Sequence, residues 1–270
     1  MQTLRRAHPG CFELVVFALA YATYFGVRAL TEGSVPSAMR HALEVLRFER
    51  RLDLDWEDAV QGVVMGERAL LDAANAIYIW GHWPVLIAGG FLLYHLGQDE
   101  YRRLRTVILL SGALGLVIFA LFPVAPPRLA PVGLLDTVTQ HSGTYRKVLP
   151  ASMINEYAAM PSFHAGWNLL LGIELFRVCR NLALRAFAVL MPMAMAFSVV
   201  ATANHFVVDV FAGAAVVVSA LLLVSRLEKR KNDASRVDTH ERAVHRGPPR
   251  RQRPGHPAPR RGARATARRG

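Results

Sequence analysis

Residues 203–213 read ANHFVVDVFAG, and the setting of this stretch decides the fold. An apolar run, 182–202, ends just before it, and another, 206–225, begins within it. Each run is about the ~20 residues that a hydrocarbon slab of ~30 Å requires of a spanning helix. His205 and Asp209 therefore stand at the opening of an apolar helix, four residues apart and on one face. Ionisable side chains are costly at that depth unless matched, so such a pair marks a candidate functional site. The carboxylate can accept from one imidazole nitrogen, fixing the tautomer and freeing the other nitrogen as nucleophile or base. A purely structural polar contact closing two helices fits the same spacing.

Outward from this pair, apolar runs recur through a chain of 270 residues that is 53% hydrophobic. Six have spanning character: 11–30, 74–97, 105–122, 165–179, 182–202 and 206–225. The fourth is short and contains Glu174. The segment 31–73 carries five Arg against nine Asp or Glu, in a pattern of one or two amphipathic helices lying along an interface. The expected fold is all-α: a polytopic membrane protein, a bundle of six transmembrane helices with an interfacial amphipathic segment between spans one and two.

Charge divides the chain into two parts. From Arg226 onward there are 15 Lys or Arg and four acidic residues, so this tail holds +11 of the net +12. Rich in Pro, Gly and Arg, it lacks the apolar surface that would offset the entropy of ordering. We therefore read a membrane domain over 1–225 and a basic, disordered cytoplasmic tail over 226–270. Such a tail suits anionic lipid headgroups or simple anchoring of topology, and nucleic acid is a poorer match. Arg102, Arg103 and Arg105 follow the second run, Arg177, Arg180 and Arg185 surround the fourth-to-fifth connection, and Arg5 and Arg6 precede the first. The positive-inside rule makes these segments and both termini cytoplasmic, which an even number of spans permits. The first run could pass for a cleavable signal peptide, but Glu13 interrupts it and apolar character persists through Phe25. Two widely separated cysteines, Cys11 and Cys179, indicate neither a disulfide framework nor a metal site. Arg outnumbers Lys 29 to three, which points to a high-GC bacterial genome and a bacterial inner membrane.

Two more stretches fall on the outer side with His205. In MPSFH, Pro161 and Ser162 set a tight helix start before His164, whose free backbone N–H groups can meet a phosphate. His164 there suits a general acid, although an interfacial histidine also serves as an ordinary hydrogen-bonding residue. In APPR, Arg128 closes the third span; its guanidinium matches phosphoryl oxygens, and a snorkelling arginine is the bland alternative. Together these residues supply a nucleophile, its orienter, a proton donor and a charge clamp for phosphoryl transfer.

In order and content, FPVAPPR ending at Arg128, NEYAAMPSFHAGW around His164 and ANHFVVDVFAG around His205 resemble the phosphatidic acid phosphatase type 2 superfamily. The likeness is greatest to its inositolphosphotransferase (aureobasidin-resistance-like) branch, with NAIYIWGHWP around His82 and YRRLR after the second span adding to it. It covers about residues 11–225. The resemblance implies a six-helix bundle without metal or other cofactor, acting on a membrane lipid substrate. It implies His205 as nucleophile, Asp209 as its orienter and His164 as general acid, with Arg128 and backbone groups near Ser162 and Pro161 holding phosphate. His82 would line the same cavity or serve as a satisfied intrahelical histidine. The superfamily's first motif begins with a lysine where this chain has Leu121, and Leu129 replaces a proline. Its third motif carries an arginine where this chain has Val199, though Ser198 is kept. Fewer cations suit a singly charged phosphodiester better than a monoester carrying nearly two charges. Arg146 and Lys147 in the outer loop could restore positive charge, which keeps a lipid phosphate monoester phosphatase open.

Other classes fit less well. A metal hydrolase would use His164, His205 and Asp209 as ligands, but no HExxH-like spacing accompanies them. A non-catalytic transporter or lipid-binding protein would also place polar residues within spans, with hydropathy repeats that this sequence does not display.

Overall fold

The computed structural model describes residues 9–30, 34–141 and 156–246. The described residues are helical without a strand, apart from one isolated parallel bridge between Val124 and Ala158. In chain order the helices are α1 Pro9–Leu30, α2 Val35–Arg51, α3 Glu57–Met65, α4 Arg68–Trp80, α5 Trp83–Leu96, α6 Gln98–Leu121, α7 Thr137–His141, α8 Phe163–Val178, α9 Leu182–Ala201 and α10 Val207–Arg246. The chain forms two compact units, Met1–Arg226 and Leu227–Gly270. In the second unit the described residues continue as helix to Arg246.

Among the described residues three helices are long and apolar enough to cross a membrane: Gln98–Leu121, Leu182–Ala201 and Val207–Ser235. The pair α4 and α5 passes only jointly, bent by 54° at its break. The described residues thus hold three or four candidate spans by length and composition, against six expected. The second expected span, 74–97, breaks because Pro84 has no N–H for the Trp80 carbonyl and its ring crowds that carbonyl. Gly81 and His82 sit in the break. The fourth run forms α8, whose 16 residues rise only about 24 Å. The first run lies within α1, 22 residues from Pro9 to Leu30.

Helix α8 is the central rod. It lies against α9, α5 and α6, and its Leu170, Leu171 and Leu175 join Leu93, Val107 and Val217 in the largest core cluster. Close approach to α10 depends on small residues. A Cβ on Gly213 would come within 2.1 Å of the Ser162 carbonyl oxygen, and one on Gly166 within 2.7 Å of the Gly213 oxygen. The charges inside the expected spans are matched. Glu174, fully buried, accepts from Arg103 Nε at 3.1 Å and from Arg177 Nη1 at 2.9 Å. Glu13 pairs with Arg105 and accepts from the Tyr101 hydroxyl at 2.9 Å. Such pairing makes a carboxylate tolerable among apolar helices.

The segment between α1 and α4 folds into α2 and α3. One face of α2 is buried at Ala38, Ala42, Val45 and Glu49, the stripe expected of a helix covering a core. That stripe meets Val124, Ala125, Ala159 and Phe206 in a second core cluster. Ser34 caps the helix, accepting from Ser37 N, and Pro36 occupies its first turn.

Candidate active site

Backbone hydrogen bonds stitch the three sequence motifs together. Val124 N donates to Tyr157 O at 2.9 Å and Ala159 N to Val124 O at 3.1 Å, joining the APPR and MPSFH segments. Arg128 N donates to Ala203 O at 2.9 Å, and Ser162 N to Asp209 O at 2.9 Å, tying both to the start of α10. Helix α2 closes the group through Ala125 N to Ala38 O at 3.1 Å. A backbone held at this many points gives its side chains little positional freedom.

His205 is buried, and its Nδ1 lies 2.7 Å from the Ala159 carbonyl oxygen. A carbonyl only accepts, so Nδ1 carries the hydrogen and the lone pair of the neutral ring is on Nε2. Asp209 Oδ2 is 3.5 Å from the same Nδ1 and accepts from Phe206 N at 2.9 Å. The carboxylate therefore does two things: it caps the first turn of α10 and stands as a negative charge beside the imidazole. Its other oxygen is buried without a hydrogen-bond partner.

Ser162 is the N-cap of α8, with its hydroxyl accepting from Ala165 N at 3.5 Å; Pro161 precedes it outside the helix. His164 follows in the first turn, where intrahelical bonds leave backbone N–H groups free. Its ring centroid is 5.7 Å from that of His205, 4.2 Å from that of His82 and 4.9 Å from that of Tyr78. The break between α4 and α5 delivers His82 to this cluster. Asn168, one turn after His164, donates through Nδ2 to the His164 carbonyl at 2.9 Å and faces His82 Nδ1 at 3.3 Å. The bond to a carbonyl fixes the amide's orientation, so His82 Nδ1 is the acceptor.

Arg128 Nε donates to Asn204 Oδ1 at 2.9 Å, and its Nη1 lies 3.6 Å from Asp136 Oδ2. Asn204 immediately precedes His205, so the guanidinium is anchored to that ring's neighbour in the chain. Arg146 and Lys147 lie outside the described residues. The structure thus brings together Arg128, Pro161, Ser162, His164, His205, Asp209 and His82. Among the described residues no group of three or more His, Cys, Asp or Glu is arranged to hold a metal ion.

Sequence reasoning missed two buried acids. Glu49 Oε1 accepts from Val208 N at 2.7 Å, and Glu57 Oε1 from Val207 N at 2.8 Å. Phe206, Val207 and Val208 are consecutive, so each of these amides meets a different carboxyl: Asp209, Glu57 and Glu49. Burial, with the neighbouring Glu57 and Asp209 charges, pushes the Glu49 carboxyl up to about 9, and burial raises Glu57 as well. A signal was present for Glu49: a charged residue continuing the stripe of Ala38, Ala42 and Val45 is out of place on a buried face. Asn168, Asn204 and Asp136 left no such mark.

A family model described as PAP2 superfamily matches residues 43–223. Neither a curated protein nor a solved structure matches the chain.

Proposed function

The chain belongs to the PAP2 superfamily, and on that premise we propose that it is an integral membrane lipid phosphotransferase working through a phosphohistidine. The observation that carries this reading is the meeting of His205, His164 and Arg128 from three sequence-distant segments, the two rings 5.7 Å apart between centroids. His205 Nε2 attacks phosphorus in line while the bond to the leaving oxygen breaks. His164 donates a proton to that oxygen and then takes one from the acceptor hydroxyl, whose oxygen attacks and breaks the P–N bond. Arg128 and the N–H groups at the start of α8 hold the phosphoryl oxygens. Asp209 favours the imidazolium character that develops on His205. His82 packs against His164, ring centroids 4.2 Å apart.

In this reading six helices cross the membrane, α2 and α3 lie along its outer surface, and both termini are cytoplasmic. The site faces outward, and the basic tail meets anionic headgroups inside. The donor is a phosphodiester lipid and the acceptor an alcohol, as in the inositolphosphotransferase branch. Supporting this, Arg128 is the sole cation among the site residues described, and it already faces Asp136. The Asp136 and Asp209 carboxylates beside Arg128 and His205 add negative charge that a nearly dianionic monoester would meet unfavourably.

The test is to trap phosphohistidine using a panel of labelled lipid phosphodiesters and monoesters, with and without alcohol acceptors. Label on His205 with headgroup transfer is the expected outcome. Rapid release of inorganic phosphate from monoesters without headgroup transfer would instead assign a lipid phosphate phosphatase. Label absent from every donor removes the enzymatic reading.

A further inference from the structure

Glu49 and Glu57 come from α2 and the start of α3, about 150 residues before the amides they hold. Both are buried, Glu49 completely. Two carboxyls brought out of water onto adjacent N–H groups are costly ornaments if they merely seal a helix end. A single hydroxyl or amide side chain would satisfy a first turn. Their place is specific. Val207 and Val208 follow His205 by two and three residues, and the intervening Phe206 amide is held by Asp209. Glu49 Oε2 is buried without a hydrogen-bond partner. Such an oxygen is best carried as the protonated half of an acid pair facing Glu57.

We propose that Glu49 and Glu57 are a positioning pair for His205: by gripping the Val208 and Val207 amides they set where the imidazole and Asp209 stand. The pair also makes the α2–α3 segment part of the site, because without it the first turn of α10 loses two of its three carboxyl partners. A few tenths of an ångström at that turn pass directly to His205, which is joined to it through the backbone. Displacements of about an ångström at a reacting group cost up to ~100-fold in rate. The proposal rests on His205 being the nucleophile, and its test separates the two ideas.

Glu49→Ala and Glu57→Ala are compared with Glu49→Gln and Glu57→Gln in detergent, with activity expressed per folded molecule after size exclusion. Amide exchange is measured in parallel on the peptide containing Phe206–Asp209. Alanine removes the acceptor oxygen; glutamine keeps one. The alanine variants should lower kcat at least about tenfold with KM changed less than about twofold, and speed exchange at Val207 and Val208. The glutamine variants should restore kcat to within about threefold and return exchange toward that of the native chain. Faster exchange with unchanged turnover per folded molecule would make the pair purely structural and overturn the proposal. Unchanged exchange in the alanine variants would overturn it too, by showing that the grip is absent. If an alanine variant does not fold, the glutamine pair and the double variant Glu49→Gln/Glu57→Gln carry the comparison. Native turnover in the double glutamine variant supports the acceptor-oxygen grip, and failure of either glutamine to sustain it counts against. Native protein that labels on no histidine defeats the nucleophile assignment itself, recognisable because the exchange differences persist without any activity to compare.

Discussion

The Nδ1 of His205 lies 2.7 Å from the carbonyl oxygen of Ala159, a residue 46 positions earlier. The backbone just before the MPSFH stretch, rather than Asp209 alone, thereby decides the tautomer of the proposed nucleophile. Asp209 Oδ2 stands further off, at 3.5 Å, and holds Phe206 N at 2.9 Å.

A division of labour between these two acceptors is testable. His205→Ala should abolish turnover while the protein still inserts and folds. Asp209→Asn keeps an oxygen for the Phe206 amide but removes the charge, so turnover should fall by about 10- to 100-fold with little change in melting temperature. Asp209→Ala removes the cap as well and should cost a further ~1–2 kcal/mol of stability. Equal melting temperatures for the two variants would refute the capping role.

Arg128 offers a guanidinium whose Nε is engaged by Asn204. Arg128→Lys keeps the charge and loses the planar fork, so kcat/KM should drop by roughly 100-fold and be only partly recovered by higher lipid concentration. Asn204→Ala frees the guanidinium to swing, and a smaller loss, about tenfold, is expected. Steady-state kinetics in mixed micelles would rank the two.

Helix approach sets another limit. With a Cβ at position 213 falling 2.1 Å from the Ser162 carbonyl oxygen, Gly213→Ala must push α10 from the start of α8. A loss of about 1–3 kcal/mol is expected, with activity falling further than stability because Ser162 and Asp209 share a backbone hydrogen bond. Thermal unfolding in detergent, set beside turnover, would show it.

Glu49 makes stability depend on pH in a predictable sense. Its ordinary value of 4.5 is raised to about 9 in the fold, by burial first and by the facing Glu57 and Asp209 charges in addition. Between these values the folded chain holds a proton that the unfolded chain has released, so stability falls as pH rises. The contribution is complete below 4.5 and lost through about 9. Melting temperatures taken at about pH 6 and about pH 8.5 should therefore differ, and Glu49→Gln should narrow the difference. A slope that Glu49→Gln leaves untouched would assign it to other groups.

Much of this was legible one residue at a time. Apolar helices, the i,i+4 pair His205–Asp209 and the Ser162 cap before His164 are local patterns, imposed by helix periodicity on neighbouring positions. The motif order alone reached the PAP2 superfamily, which the match over 43–223 bears out. Expected span lengths were less secure. Pro84 breaks one run, and α8, surrounded by other helices, is shorter than a lone spanning rod needs.

Tertiary structure alone decided which groups touch His205. A backbone carbonyl such as that of Ala159 has no residue-type signature, so nothing in the sequence could nominate it as the acceptor. Nor does periodicity link Glu57 to Val207 across 150 positions. Residue order sets helix faces because hydrogen bonds within a helix are local; it leaves contacts between distant segments to the close fit of helices, and there the site is made.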